Sequence, residues 1–227
     1  MNADSKRLTL FAGHYGSGKT EIALNMALKL KEEHEDVVIC DMDIVNPYFR
    51  TNDAREFLEA KGIRVISPDY ASTNIDIPVL PGDILSVFTN KDCYAVLDLG
   101  GDDDGAVALG QFFRYLKDED YEMYFVLNAL RPDTSNIEDI KMLAANIEYI
   151  SRDKITGIIN NTNLSYLSEP KHLAESLCFA EEAAKVLGVD VKYITGTTEM
   201  LSCLEGKNEE KAMEIELFMK LPFDAMA

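Results

Sequence analysis

Short apolar runs, rich in β-branched residues, recur at 8–12, 37–40, 64–67, 94–97, 123–127, 155–159 and 191–195. Each has the length of a buried strand, and most are separated by stretches in which apolar residues return every three to four positions. The stretch 19–31 is apolar almost all round, with Ile22, Ala23, Leu24, Met26, Ala27, Leu28 and Leu30, as suits a helix pressed against a sheet. A second helix is predicted over 53–60, closed by Gly62. A third begins after Pro132, where Ser135-x-x-Glu138 reads as a capping box and Ile137, Ile140, Leu143, Ala144, Ile147 and Ile150 keep one face apolar. A fourth spans 169–187 and stops at Gly188.

Strands alternating with helices predict an α/β fold: a mostly parallel sheet of about seven strands with helices on both faces. No repeat or linker-like tract divides the 227 residues, so one domain over 1–227 is expected. The longest irregular segment is 69–81.

The first strand runs directly into Gly13-x-x-x-x-Gly18-Lys19-Thr20, and this motif opens the first helix. Strand, glycine-rich loop and helix in that order are the setting of a P-loop, and hence of the P-loop NTPase fold. The residues from Gly13 through Gly16, Ser17 and Gly18 turn backbone N–H groups inward around a phosphate, and the helix N-terminus adds partial positive charge. Lys19 is placed to reach the β- and γ-phosphates, and the Thr20 hydroxyl to bind magnesium. Acidic residues close the next strands. Asp41-Met42-Asp43 follows 37–40, and Asp98-Leu99-Gly100-Gly101 follows 94–97, both at the sheet edge where open α/β folds bind ligands. Asp98 fits the role of holding the magnesium, while Gly101 allows a backbone N–H to approach the γ-phosphate.

Composition narrows the possibilities. With 22 basic and 40 acidic residues the chain carries −18, a field that repels nucleic acid and anionic lipid. No apolar run approaches the roughly 20 residues of a spanning helix. The N-terminus lacks the apolar stretch of a secretion signal, so a cytoplasmic location is expected. Cys40, Cys93, Cys178 and Cys203 form no Cys-x-x-Cys pair and are predicted to be buried reduced thiols, not metal ligands.

Asp-x-Asp after the second strand, beside the P-loop and Asp98-x-Gly-Gly, resembles the MinD/ParA/CobQ-type nucleotide-binding proteins of the SIMIBI class, over most of the chain. That resemblance implies ATP with magnesium, Asp41 assisting Thr20 and Asp98 at the metal, and Asp43 orienting the attacking water as the catalytic partner of Lys19. It also implies that 43–53 and 99–105 are switches read by a protein partner. One of Asn160 and Asn161, at the end of the sixth run, would read the nucleobase edge. No Asn-Lys-x-Asp guanine motif occurs, which favours ATP over GTP.

The chain departs from the family at His14, where members that form ATP-sandwich homodimers carry lysine. Histidine is shorter and mostly neutral at pH 7, which counts against that dimer. Arg50 and Arg131 are alternative cations, and 46–50 with its two aromatics, Tyr48 and Phe49, is a candidate contact for a partner or substrate. Asp102, Asp103 and Asp104 read as a solvated turn. The apolar spacing of Met213, Leu217 and Leu221 suggests a helix over 209–221, too acidic to lie on a membrane. Two other functions fit the motifs: an ATP-dependent small-molecule kinase or ligase resembling dethiobiotin synthetase, and a regulatory nucleotide-binding module with little turnover.

Overall fold

The structure, a computed structural model, describes residues 6–43, 54–67, 82–117 and 119–218, without the side chains of 102–105 and 166. The segments 46–50 and 69–81, and nearly all of the first expected switch, lie outside the described residues.

Eight strands form one sheet in the order β3-β2-β4-β1-β5-β6-β7-β8. They are β1 (Leu8–Ala12), β2 (Val37–Met42), β3 (Arg64–Ile66), β4 (Tyr94–Leu99), β5 (Tyr121–Leu127), β6 (Gly157–Asn160), β7 (Asp190–Gly196) and β8 (Ala212–Glu214). Every neighbouring pair is parallel. An all-parallel sheet is covered on both faces, which is why β1 and β2 are buried at every position instead of alternating.

The helices divide between those faces. On one, α1 (Lys19–Glu33) and α2 (Arg55–Ala60) pack Ile22, Met26, Leu30 and Leu58 against Phe11, Ile39 and Val126. On the other, α3 (Leu85–Thr89), α4 (Asp102–Gly110), α5 (Phe113–Leu116), α6 (Ile137–Ser151), α7 (Pro170–Leu187) and the short α8 (Thr198–Leu201) enclose Leu10, Leu97 and Phe125. Opposite pleats of one strand therefore serve two cores: Phe11 faces α1 while Leu8 and Leu10 face the other layer.

Several expectations are corrected. Within 209–218, the described part of the expected 209–221 helix, the chain is not an α-helix: a 3₁₀ segment, Gly206–Lys211, leads into β8, which adds an eighth strand beside β7. The chain then crosses to the α1 face. The amide of Asn25, in the middle of α1, donates to the Glu216 carbonyl at 2.9 Å and accepts from the Glu216 N–H at 2.8 Å. Phe218 N–H donates to Glu21, and its ring lies 5.2 Å from that of Phe57 on α2.

Asp102, Asp103 and Asp104 open α4 instead of forming a turn, a position where acidic residue types suit the helix dipole. The cap of α6 is Asn136, whose side chain accepts from Asp139 N–H, whereas the Ser135 hydroxyl is spent on Pro132 O. Gly188 closes α7 in the left-handed conformation as expected. Cys40 and Cys93 are buried, but Cys178 is exposed on α7 and Cys203 is half-buried. Burial pushes the Cys40 and Cys93 thiols up, which keeps both protonated and inert. Among the described residues no helix is long and apolar enough to cross a membrane.

Candidate functional site

β1 lies at the centre of the sheet, and the loop that follows it emerges between β4 and β5. Gly16 and Gly18 take left-handed backbone angles, φ 73° and 90°, and Gly18 is the N-cap of α1. A side chain at Gly18 fails twice: its angle is costly for any L-residue, and its Cβ would lie 2.2 Å from Asn161 Nδ2. The loop thus turns sharply and delivers Lys19 and Thr20 as the first residues of the helix. Lys19 is only 7% exposed and folds back along the loop, donating to Gly13 O at 3.0 Å and His14 O at 2.9 Å. Ser17 is fully buried, and Thr20 is half-buried at the start of α1.

Asp41 and Asp98 stand directly opposite each other in the β2–β4 register, 1% and 2% exposed. Parallel neighbours lie about 4.8 Å apart, so two carboxylates share one point of the sheet edge. Asp41 also organises the exit from β2, accepting from Asp43 N–H at 2.9 Å. Asp43 is half-buried, the last described residue before the first expected switch. A hydroxyl at the head of α1 and two edge carboxylates are all hard oxygen donors, the chemistry that magnesium takes. The donor set therefore fits that ion.

Gly101 brings the second expected switch against the phosphate loop. A Cβ there would lie 3.0 Å from both N and Cα of Tyr15, so the two backbones touch with no room for a side chain.

Asn160 and Asn161 are both buried and hold the scaffold. Asn160 donates to Ser176 Oγ on α7 at 2.9 Å and accepts from Thr162 Oγ1 at 2.8 Å. Asn161 donates to Ser17 O at 2.8 Å and accepts from Thr195 Oγ1 at 2.8 Å, pinning the phosphate loop to β7. The amides that the sequence offers to a nucleobase are engaged inside the protein in this structure.

The segment between β5 and α6 also docks on the loop, a feature that sequence reading left open. Arg131 Nε donates to Gly16 O at 3.0 Å, and Asp133 Oδ2 lies 3.5 Å from His14 Nε2. His14 Nδ1 donates to Tyr15 O at 2.9 Å, so the ring is turned toward its own chain at both nitrogens. Among the described residues no cluster of three or more His, Cys, Asp or Glu side chains could hold a metal on its own.

No protein-family model matches the sequence, and no curated protein matches it in sequence. Solved structures do share its fold. FtsY from Mycoplasma mycoides superposes with a TM-score of 0.55 at 16% identity, covering 90% of this chain and 64% of its own. The cell division protein FtsY from Thermotoga maritima gives 0.56 at 20%, covering 92% and 67%. The 54 kDa signal recognition particle protein from Aeropyrum pernix, in complex with GDP, gives 0.51 at 19%, covering 92% and 45%. The chain thus spans about two thirds or less of the proteins it resembles. The likeness shows the α/β fold of P-loop NTPases and does not single out the MinD/ParA/CobQ branch.

Proposed function

We propose that this protein is a magnesium-dependent nucleoside triphosphatase whose two loops beside the phosphate site switch with nucleotide state and act on a protein partner. The observation that carries the reading is the convergence of the Gly13–Thr20 loop with Asp41 and Asp98, paired in register at the same sheet edge. Three lone carboxylates on separate loops would not argue for this; two buried ones fixed opposite each other beside a phosphate loop do.

In this reading the loop N–H groups and Lys19 bind the β- and γ-phosphates, exchanging the present carbonyl contacts of Lys19 for phosphate oxygens. Thr20, Asp41 and Asp98 would hold magnesium, which would supply charge neutralisation on the phosphates. Asp43, set by its backbone bond to Asp41, orients the attacking water. Gly101, in contact with Tyr15, reports the phosphate state to α4. This is the order in which nucleotide switches generally transmit. ATP is the proposed nucleotide on the sequence argument, although relatives in fold have been captured with GDP. The −18 charge favours a basic or neutral protein partner over nucleic acid.

Lys19→Ala and Asp43→Ala divide the claim. Titration with ATP and GTP should show binding by the parent and by Asp43→Ala, at least a tenfold loss in Lys19→Ala, and hydrolysis only in the parent. Undiminished binding in Lys19→Ala sinks the phosphate site; undiminished turnover in Asp43→Ala moves the water-orienting role elsewhere.

A further inference from the structure

We propose that Arg131 is a phosphate-binding residue supplied by the protein's own β5–α6 loop, contacting the terminal phosphates of the bound nucleotide; the inference rests on the nucleotide reading above. Three observations carry it. The first is placement. Arg131 is exposed, yet its guanidinium lies on the rim of the phosphate loop, with Nε donating to Gly16 O and the guanidinium carbon 3.4 Å from where a Gly16 Cβ would stand.

The second is how the guanidinium is tethered. Nε is spent on the loop, while neither terminal nitrogen has a hydrogen-bonding partner among the described residues. Held at Nε, the side chain presents a planar pair of Nη groups, the fork that matches two phosphate oxygens. Asp133, the acidic residue two positions on, is directed at His14 and does not neutralise Arg131.

The third is that the backbone beneath Arg131 is already ordered. Arg131 N–H donates to Asn128 O, and Arg131 O accepts from Thr134 N–H, each at 3.1 Å. Thr134 Oγ1 donates to Asn128 O at 2.6 Å, Leu130 N–H donates to Asn128 Oδ1 at 3.1 Å, and Asn128 Nδ2 reaches Asn163 O at 3.0 Å. Thr134 and Asn128 are buried. Little loop entropy remains to be lost on binding, which is what preorganises a charged contact. Electrostatics makes the contact useful: a triphosphate enters a chain of net −18 at an edge that already holds Asp41 and Asp98, and one lysine is a small counterweight. His14, turned to Asp133, does not supply the missing cation.

The test compares the parent with Arg131→Ala, Arg131→Lys and Lys19→Ala by calorimetric titration. Each is titrated with non-hydrolysable ATP and GTP analogues, with ADP and with AMP, in magnesium buffer at two salt concentrations. Arg131→Ala should bind the preferred triphosphate analogue about 10–100-fold more weakly, the scale of one charge-assisted contact. AMP affinity and the thermal midpoint should be unchanged, and the salt dependence of triphosphate binding shallower. Arg131→Lys, which keeps the charge without the fork, should fall between. Parental triphosphate affinity in Arg131→Ala overturns the proposal, as does an equal loss for AMP and triphosphate, which would mark a mere brace for the loop. If Lys19→Ala loses binding while Arg131→Ala does not, this inference alone fails. A parent that binds no nucleotide removes the proposed function and this contact together.

Discussion

Asn161 joins two parts of the chain far apart in sequence, the carbonyl of Ser17 and the hydroxyl of Thr195. Truncating it to alanine strands both groups in a buried place, at a cost of about 2–4 kcal/mol from the usual penalty per unsatisfied partner. Urea denaturation of Asn161→Ala should show that loss, with weakened nucleotide binding beside it because the phosphate loop loses its tether. An unchanged midpoint would mean that water replaces the amide at no cost. The phosphate loop itself was legible from sequence because its information is local, eight consecutive residues whose types dictate a turn. Asn161 was legible only as a residue at a strand end. Its partners lie on the first loop and the seventh strand, and no local pattern announces such a contact. Arg131 belongs to the same category, since a surface arginine and one lying over a phosphate loop look alike in one dimension.

Elements were readable where periodicity was long and failed where two signals competed. All seven apolar runs became strands, the run 8–12 at its expected bounds and the other six with shifted ends: the run 155–159 yields β6 at Gly157–Asn160, and 37–40 extends through Asp41 to Met42. β8 was missed because three residues, Ala212 to Glu214, sit in an acidic stretch where Met213 and Leu217 mimic a helical stripe; only pairing with β7 reveals the strand. At the start of α6, two cap-competent residues stand side by side. Asn136→Ala should cost about 1 kcal/mol of stability by removing the bond to Asp139 N–H, whereas Ser135→Ala should cost a few tenths. Matched denaturation curves check this, and the reverse ranking would restore the serine cap.

At the scale of the whole molecule, the edge of the sheet opposite the phosphate site also carries a carboxylate that is awkward to bury. Asp153 is 5% exposed, and burial pushes its carboxyl up from 3.8 to about 6, opposed by a hydrogen bond with Tyr121. The folded state therefore binds this proton more tightly than the unfolded chain does. Its contribution to stability is greatest below about pH 4 and declines as pH rises through 6, where the charge must be held in the interior. Asp153→Asn should be more stable than the parent at pH 7, and the gap should close toward pH 4; a gap independent of pH would assign the effect to packing. The join between Asn25 and Glu216 bears on how the protein is made. Synthesis runs from the N-terminus, so α1, the helix that carries Lys19, leaves the ribosome well before the segment at 216–218. Its partners Glu216 and Phe218 follow 191 and 197 residues after the side chains they meet. The helix behind the phosphate loop is therefore begun well before it is completed, and a nascent chain that has not yet exposed residues 216 and 218 lacks the contacts that brace that helix.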